Sequence, residues 1–259
     1  MRLNTYLYVW KKSASFSLQT VMANKIGSLF FILGKFVRYF FFLWMILRVG
    51  EQVNLIKGYS VKQIIVFFLV YNLIDMLSQM FFRGIYAFKR LIIDGTFDKI
   101  LLRPLNPLFQ VLASYTDFLD LPLLLLIIIT LISYSPDQSL INIVMFVMAM
   151  FISLLVMLAC HIFIAGFGII YLEVDNLIML FRDIWRMGQM PVGIYQPIIR
   201  FAVTFIIPVA LMVNLPANVL LGFFNWTSLL IVFAIALFIL FLSVKFWNLA
   251  LKKYTSASS

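Results

Sequence analysis

The sequence predicts an all-α integral membrane protein with six transmembrane helices. Three observations carry that prediction. Of 259 residues, 64% are hydrophobic and 12% charged, whereas a soluble domain has roughly 45–50% and 25%. The apolar residues gather into runs close to the roughly 20 residues that cross a hydrocarbon slab about 30 Å thick. Lys and Arg collect beside the ends of alternate runs, as they do at cytoplasmic helix ends. Twenty-eight phenylalanines cannot be hidden in one water-soluble core of this length. An ordinary soluble enzyme is therefore excluded, and six crossings leave no room for a separate catalytic domain. The net charge of +10 flanks apolar segments without forming one basic face, so no nucleic-acid partner is expected.

Residues 1–25 form the first element. Leu3, Tyr6, Leu7, Val9 and Trp10 alternate with Lys11, Lys12 and Lys25, the composition of an amphipathic helix lying in the headgroup plane. No basic end, apolar run and cleavage site follow one another as in a secretory signal, so the segment is expected to be retained. The six-helix domain is expected over 26–259. Its first span, 27–50, contains Lys35 and Arg38, which are costly at mid-bilayer. Either the amphipathic region continues to Arg38 and the span is Phe36 to Val53, or both cations face protein.

The second span, 61–82, is closed by Arg83. Spacings of three and four set Asn72, Asp75 and Gln79 on one face, which is expected to face other protein. A basic connection runs from Arg83 to Gln110. The third span, 112–134, has Asp117 and Asp120 near its first turns, and Ser135 to Ser139 make a turn. The fourth, 141–170, lies in an apolar run reaching Leu172 that is longer than one crossing. It can tilt, kink near Gly166 and Gly168, or run on past the bilayer. Glu173 to Gln196, with Arg182, Asp183, Arg186 and Gln189, reads as interfacial. The fifth span, 197–215, carries Pro208, which removes a helix hydrogen bond and predicts a kink. The sixth, 227–247, ends near Lys252, Lys253 and Tyr254.

This arrangement puts Arg2, Lys11, Lys12, Lys25, Arg83, Lys89, Arg90, Lys99, Arg103, Arg182, Arg186, Lys252 and Lys253 on one side. The other side holds Arg48, Lys57 and Lys62. Both termini are thus expected in the cytoplasm.

The connection RGIYAFKRLIIDGTFDKILLRPLNPLFQ carries the most information. Gly95 suits a turn, Thr96 can cap a short helix, and Asp98 falls near its positive end. Phe97, Ile100, Leu101 and Leu102 supply apolar contacts, and Pro104 and Pro107 stop the helix. The product is a short rigid helix on the cytoplasmic face or, more plainly, a membrane-hugging linker.

Asp75 is the sharpest candidate inside a span. A carboxylate at that depth needs a cation or a wet cavity. Lys35, Arg38 or Arg83 can serve as partner, with Asp117 and Asp120 nearby. A structural ion pair and a substrate or gating contact with Asn72 and Gln79 are the two readings. His161 reads as an interhelical packing residue and Cys160 as a small filler. One cysteine and one histidine leave no internal disulfide and no multi-cysteine metal site, so no metal and no cofactor is expected on this chain. No G-x-x-x-x-G-K-[ST] loop is present to cradle a nucleotide.

Three segments, in order, resemble one family. GTFDKILLRPLNP is similar to the Gly-x-hydrophobic-Asp-x-x-Leu-x-Arg-Pro-x-Asn-Pro pattern of six-span ABC-2 type transporter permeases. MGQMPVGIYQPIIRFAVTFIIPVALMVNLPANVLLG and FWNLALKKYTSASS resemble that family's later segments, and the likeness covers essentially the whole chain. It implies the permease subunit of an ATP-driven ABC exporter of the multidrug or daunorubicin-resistance kind, in a bacterial inner membrane. The implied partners are two ABC ATPase subunits, which carry ATP and Mg, and a second permease, the same or a related chain forming a heterodimer. A hydrophobic or amphiphilic small molecule is the implied cargo. Gly95, Thr96, Phe97, Asp98, Leu101, Leu102 and Arg103 would form the coupling helix that enters a groove on the ATPase, and residues 1–25 the elbow helix beside it. Lys35 and Arg38 depart from the family's more apolar first span. The alternatives are a stand-alone secondary transporter or channel, which would want an ion-coupling cluster or broken repeats, and a non-transporting assembly subunit.

Overall fold

A computed structural model describes residues 3–53, 55–136, 138–171 and 174–255. Arg2, Asp137, Leu172, Glu173 and residues 256–259 of the terminal motif, all used above, lie outside the described residues. The fold is all-α, apart from one two-residue hairpin.

Helix α1, Leu3–Ala23, stops at Asn24, whose Oδ1 accepts the Gly27 N–H at 3.0 Å and caps α2, Lys25–Gln52. The first helix therefore ends at Asn24, and α2 runs unbroken past Lys35 and Arg38. Strands β1, Leu55–Ile56, and β2, Tyr59–Ser60, pair antiparallel in the register Leu55↔Ser60 and Ile56↔Tyr59. Their turn holds Lys57 at φ 47° and Gly58 at φ 88°, the positive values that match strand twist in a two-residue hairpin. Ser60 then closes a capping box with Gln63 and starts α3, Val61–Phe82. Helix α3 is buried all round and is the centre of the bundle: each residue from Ile64 to Ile74 is buried.

The connection contains a 3-10 helix, Arg83–Ala87, then α4 Phe88–Ile93, α5 Thr96–Leu101 and α6 Pro107–Leu112. A 3-10 turn, Phe118–Asp120, leads into α7, Leu121–Tyr134, whose 14 residues rise only about 21 Å. Helix α8, Leu140–Tyr171, has 32 residues and no break at Gly166 or Gly168, so it extends beyond one crossing instead of kinking. Gly166 serves contact instead: the Phe246 ring would lie 2.7 Å from a Cβ there. The α12 helix, Trp226–Leu251, packs along α8 through that site, with Phe167 and Phe246 rings 4.8 Å apart. Helices α2, α3, α8 and α12 are long and apolar enough to cross a membrane. Both α2 and α12 expose large apolar side chains, such as Phe40, Trp44, Phe238 and Phe241, a surface suited to lipid.

The expected fifth span is placed elsewhere by the structure. Helix α9, Val174–Arg186, starts where Lys89 Nζ meets Asp175 Oδ2 at 2.5 Å, at the end of the bundle holding both termini. Phe181 then packs on His161, and the Trp185 ring lies 4.9 Å from Tyr71 at mid-α3. Finally Lys57 Nζ, on the hairpin, donates to Ile194 O at 2.8 Å. Residues 174–194 thus run antiparallel to α3 over its length. Residues 197–215 do not traverse the bundle. They belong to a helix pair, Pro197–Ile206 and Ala210–Leu220, bent by 81°. Its first arm, α10 Pro197–Phe201 continued by a π-helical turn, leaves from the hairpin end. Its second arm, ending in α11 Leu215–Leu220, returns there, where Leu220 O accepts from Gln138 Nε2 at 3.3 Å. Pro208 marks more than a kink, because Ile207 beside it is fully extended. The polar residues of α9 suggested an interfacial segment, yet Val174, Ile178, Phe181 and Trp185 form one buried stripe.

Cys160 is the single cysteine, so a Cys160→Ser background permits a test. Lys57→Cys and Gln196→Cys are expected to react with an impermeant thiol reagent from one face of sealed vesicles, and Lys253→Cys from the other. Joint labelling of positions 196 and 253 from one face would refute the traverse by 174–194.

Candidate functional site

Two constellations stand at the end of the bundle that carries both termini. The first is the short helix α5. Gly95 precedes it at φ 65°, a left-handed conformation that glycine adopts without penalty. Gly95, not Thr96, holds the N-cap position, and no side chain caps the helix; Thr96 is its first residue. Phe97 is fully buried. Its ring meets Phe88 and Tyr254 edge-on, each at 5.0 Å, and Trp247 at 6.3 Å. Ile100 points the same way, and Ile85, Val111, Ile169 and Ala250 complete this apolar cluster. Asp98 Oδ1 accepts the Tyr254 hydroxyl at 2.8 Å. Burial, then Asp98, pushes the Tyr254 phenol up to about 12, so it remains a neutral donor at physiological pH. Gln110 Nε2 donates to Ile100 O and Leu105 O, each at 3.2 Å, and seals the C-terminal side of α5.

The opposite face of α5 is open. Lys99, Leu101 and Arg103 are exposed, and Leu102 retains 86% of its surface. Helix α1 lies alongside. Tyr6 meets Phe109 edge-on at 4.8 Å, Trp10 stacks on Phe81 at 6.0 Å, and the Thr116 N–H donates to Ser17 Oγ at 3.2 Å. The elements flanking α5 are therefore tied to one another.

The second constellation is ionic. Lys35 pairs with Asp120 and, at 3.7 Å, with Asp117, while Arg83 pairs with Asp117. The two carboxylate side chains are 1% exposed or less. Lys35 also lies over the Phe31 ring at 4.4 Å, and Arg83 over Tyr115 at 5.3 Å. Lys35 thus turns inward, as the second of the two arrangements requires, but Arg38 does not follow it, so that arrangement holds for one of the two cations. Asp75 pairs with none of its three proposed cations among the described residues. Its Oδ1 accepts the Trp185 indole N–H at 2.9 Å and its Oδ2 the Gln79 amide at 3.1 Å. Asn72 is buried and donates to Phe68 O on its own helix at 2.7 Å. Asp75 and Gln79 therefore act together, and Asn72 does not join them. Arg38 is exposed, and Arg182 sits 5.9 Å above the Tyr86 ring. Neither lies within ion-pair distance of a carboxylate among the described residues.

Trp185 and Tyr254 were not singled out in sequence. The stripe at 174, 178, 181 and 185 could have flagged Trp185, but nothing local connects Tyr254 to Asp98. His161 bridges Met157 O at 2.8 Å and Tyr86 Oη at 3.3 Å, between aromatic rings, as a packing residue does. Among the described residues no group of three or more His, Cys, Asp or Glu is arranged to hold a metal.

Residues 33–258 match a family model described as ABC-2 family transporter protein. Neither a curated protein nor a solved structure matches the chain.

Removing one member of a buried ionic cluster leaves its partners uncompensated, at about 3–5 kcal/mol. Asp117→Asn is expected to lower the unfolding midpoint of the detergent-purified protein on that scale. Asp75→Asn keeps an oxygen for Trp185 and is expected to shift the midpoint less.

Proposed function

The chain belongs to the ABC-2 family of transporter proteins, and from that premise we propose that it is the permease subunit of an ATP-driven exporter. It is a multi-pass membrane protein and contributes no nucleotide chemistry. Two ABC ATPase subunits would bind ATP and Mg, and a second permease, identical or related, would complete the path through a bacterial inner membrane. The observation that carries this reading is the construction of α5. One face is locked into the bundle by Phe97, Ile100 and the Asp98–Tyr254 bond, and the other presents Leu102 and its neighbours. A single exposed turn fixed this firmly transmits displacement instead of absorbing it.

The residues of the expected coupling helix divide accordingly. Leu101, Leu102 and Arg103 meet the ATPase groove. Gly95 makes the turn, Thr96 starts the helix, and Phe97 with Asp98 hands movement to α12 through Trp247 and Tyr254. The 3-10 helix Arg83–Ala87 and α4 pass it to α3. Asp75 links α3 to α9 through Trp185, so it joins two moving parts and does not itself contact cargo. Both termini face the cytoplasm in this reading, beside Lys11, Lys12, Lys99, Arg103, Lys252 and Lys253. The hairpin end holds fewer cations, Arg48, Lys57, Lys62 and Arg200.

A cavity of about 600 Å³ between α3, α7 and α8 supports an apolar or amphiphilic cargo. It is lined by Leu73, Leu77, Leu124, Phe146 and Leu220, where the short α7 leaves space.

Affinity purification of the full chain from its native membrane in mild detergent is expected to retain a P-loop ATPase. Leu102→Asp is expected to reduce that retention about tenfold or more, because it puts a charge into an apolar contact, with the unfolding midpoint unchanged. Phe97→Ala should instead destabilise the fold by about 3–5 kcal/mol, as for a buried aromatic, and so lower the midpoint. Absence of an ATPase from the wild-type complex would refute the reading.

A further inference from the structure

Beside the ionic cluster, a cavity of about 390 Å³ opens between α2, α3 and α9. Four cations line it: Lys35, Arg38, Arg83 and Arg182. The carboxylates facing them are few. Asp117 and Asp120 engage Lys35 and Arg83 from the α7 side. Asp75 has its oxygens occupied by Trp185 and Gln79, and Asp183 is paired with Arg186 at 3.0 Å. Arg38 and Arg182 are left at the cavity wall with their charge unanswered among the described residues. Arginine side chains within membrane-spanning segments call for an anion or water when no carboxylate pairs them, and these two share one recess.

The walls supply a second clue. Phe30, 69% exposed, and Phe31 adjoin the cations on α2, and the neighbouring surface of α2 is apolar. A recess with an excess of guanidinium at one end and aromatic surface running into the lipid-facing side matches a molecule with an anionic head and an apolar tail. Guanidinium groups suit phosphate, sulfate or carboxylate, since each offers paired donors to two oxygens.

The geometry points to a binding site for the anionic headgroup of an amphiphile, held by Arg38 and Arg182 with Lys35 and Arg83 behind them. The site stands on the cavity itself. Its role as a cargo entrance rests on the exporter reading, whose cytoplasmic orientation puts it at the depth of the inner leaflet.

The test uses the full chain purified in a neutral detergent. Dioleoylphosphatidylglycerol, dioleoylphosphatidylcholine and inorganic phosphate are titrated separately, and bound ligand is read by native mass spectrometry. Phosphatidylglycerol is expected to bind and phosphatidylcholine to bind more weakly. The double variant Arg38→Gln/Arg182→Gln should weaken phosphatidylglycerol binding by about tenfold or more, while Arg38→Lys/Arg182→Lys, which keeps the charge but loses the paired donors, should fall between that variant and the wild type. Inorganic phosphate bound with the same arginine dependence, without a lipid preference, would support the anion site and identify a free anion as its source. Equal binding of the two lipids with no phosphate binding, or phosphatidylglycerol binding untouched by the Gln variant, would overturn the proposal. ATPase co-purification with the same variants separates the two readings. A retained ATPase with no anion selectivity sinks the site alone. Anion selectivity in a chain that never carries an ATPase sinks the exporter reading alone.

Discussion

A buried charge at membrane depth needs a partner, and the pairing of Lys35 and Arg83 with Asp117 and Asp120 is the constraint around which this bundle is arranged. It joins α2, the end of α3 and the entry of α7 at one level. Without it α2 could not run straight through from Asn24, because Lys35 would face hydrocarbon. The pairing also draws the start of α7 toward α2 and α3. From there its 14 residues run beside α3 and line the apolar cavity with α8. A single ionic knot thus fixes where three helices meet.

The same requirement shapes the central seam. Helix α9 carries Arg182, Asp183 and Arg186 on one side and Trp185 on the other. Its passage beside α3 becomes tolerable once Trp185 donates to Asp75 and the apolar stripe is buried. Because 174–194 fills that lane, the chain after it folds back on itself from the hairpin end. The π-helical turns on both sides of Pro208 accommodate the bend, since they loosen the regular bonding that a straight helix would demand.

At the opposite end, the connection between α3 and α7 is rigid despite its short helices. Phe97, Phe88, Trp247 and Tyr254 form an aromatic knot that joins the exposed turn to the end of α12. The lipid-facing helix α12 and the small exposed turn are thereby one mechanical body. Part of this was readable in advance. The Gly95 turn, the stop at Pro104 and Pro107 and the shortness of the helix all follow from local backbone preferences. The identity of the capping position did not, because Gly95 and Thr96 are both plausible caps until the backbone angle decides.

By itself the sequence determined that this is an all-α membrane protein, which way its charge bias runs, and that a compact turn stands near Thr96–Arg103. Composition, run length and backbone stereochemistry are local properties, and they need no partner to act. The tertiary structure alone decided which charges meet. The side chain of Asp75 suggests Lys35, Arg38 or Arg83 as its partner, yet it joins Trp185, 110 residues away in sequence, while Lys35 and Arg83 go to Asp117 and Asp120 and Arg38 stays exposed. It also decided that 174–194 traverses and 197–215 turns back. The hydropathy of 197–215 is higher than that of α9, and a window of sequence ranks segments by their own apolarity. A polar helix crosses when the interior supplies its partners, and that supply exists only after the other helices have assembled.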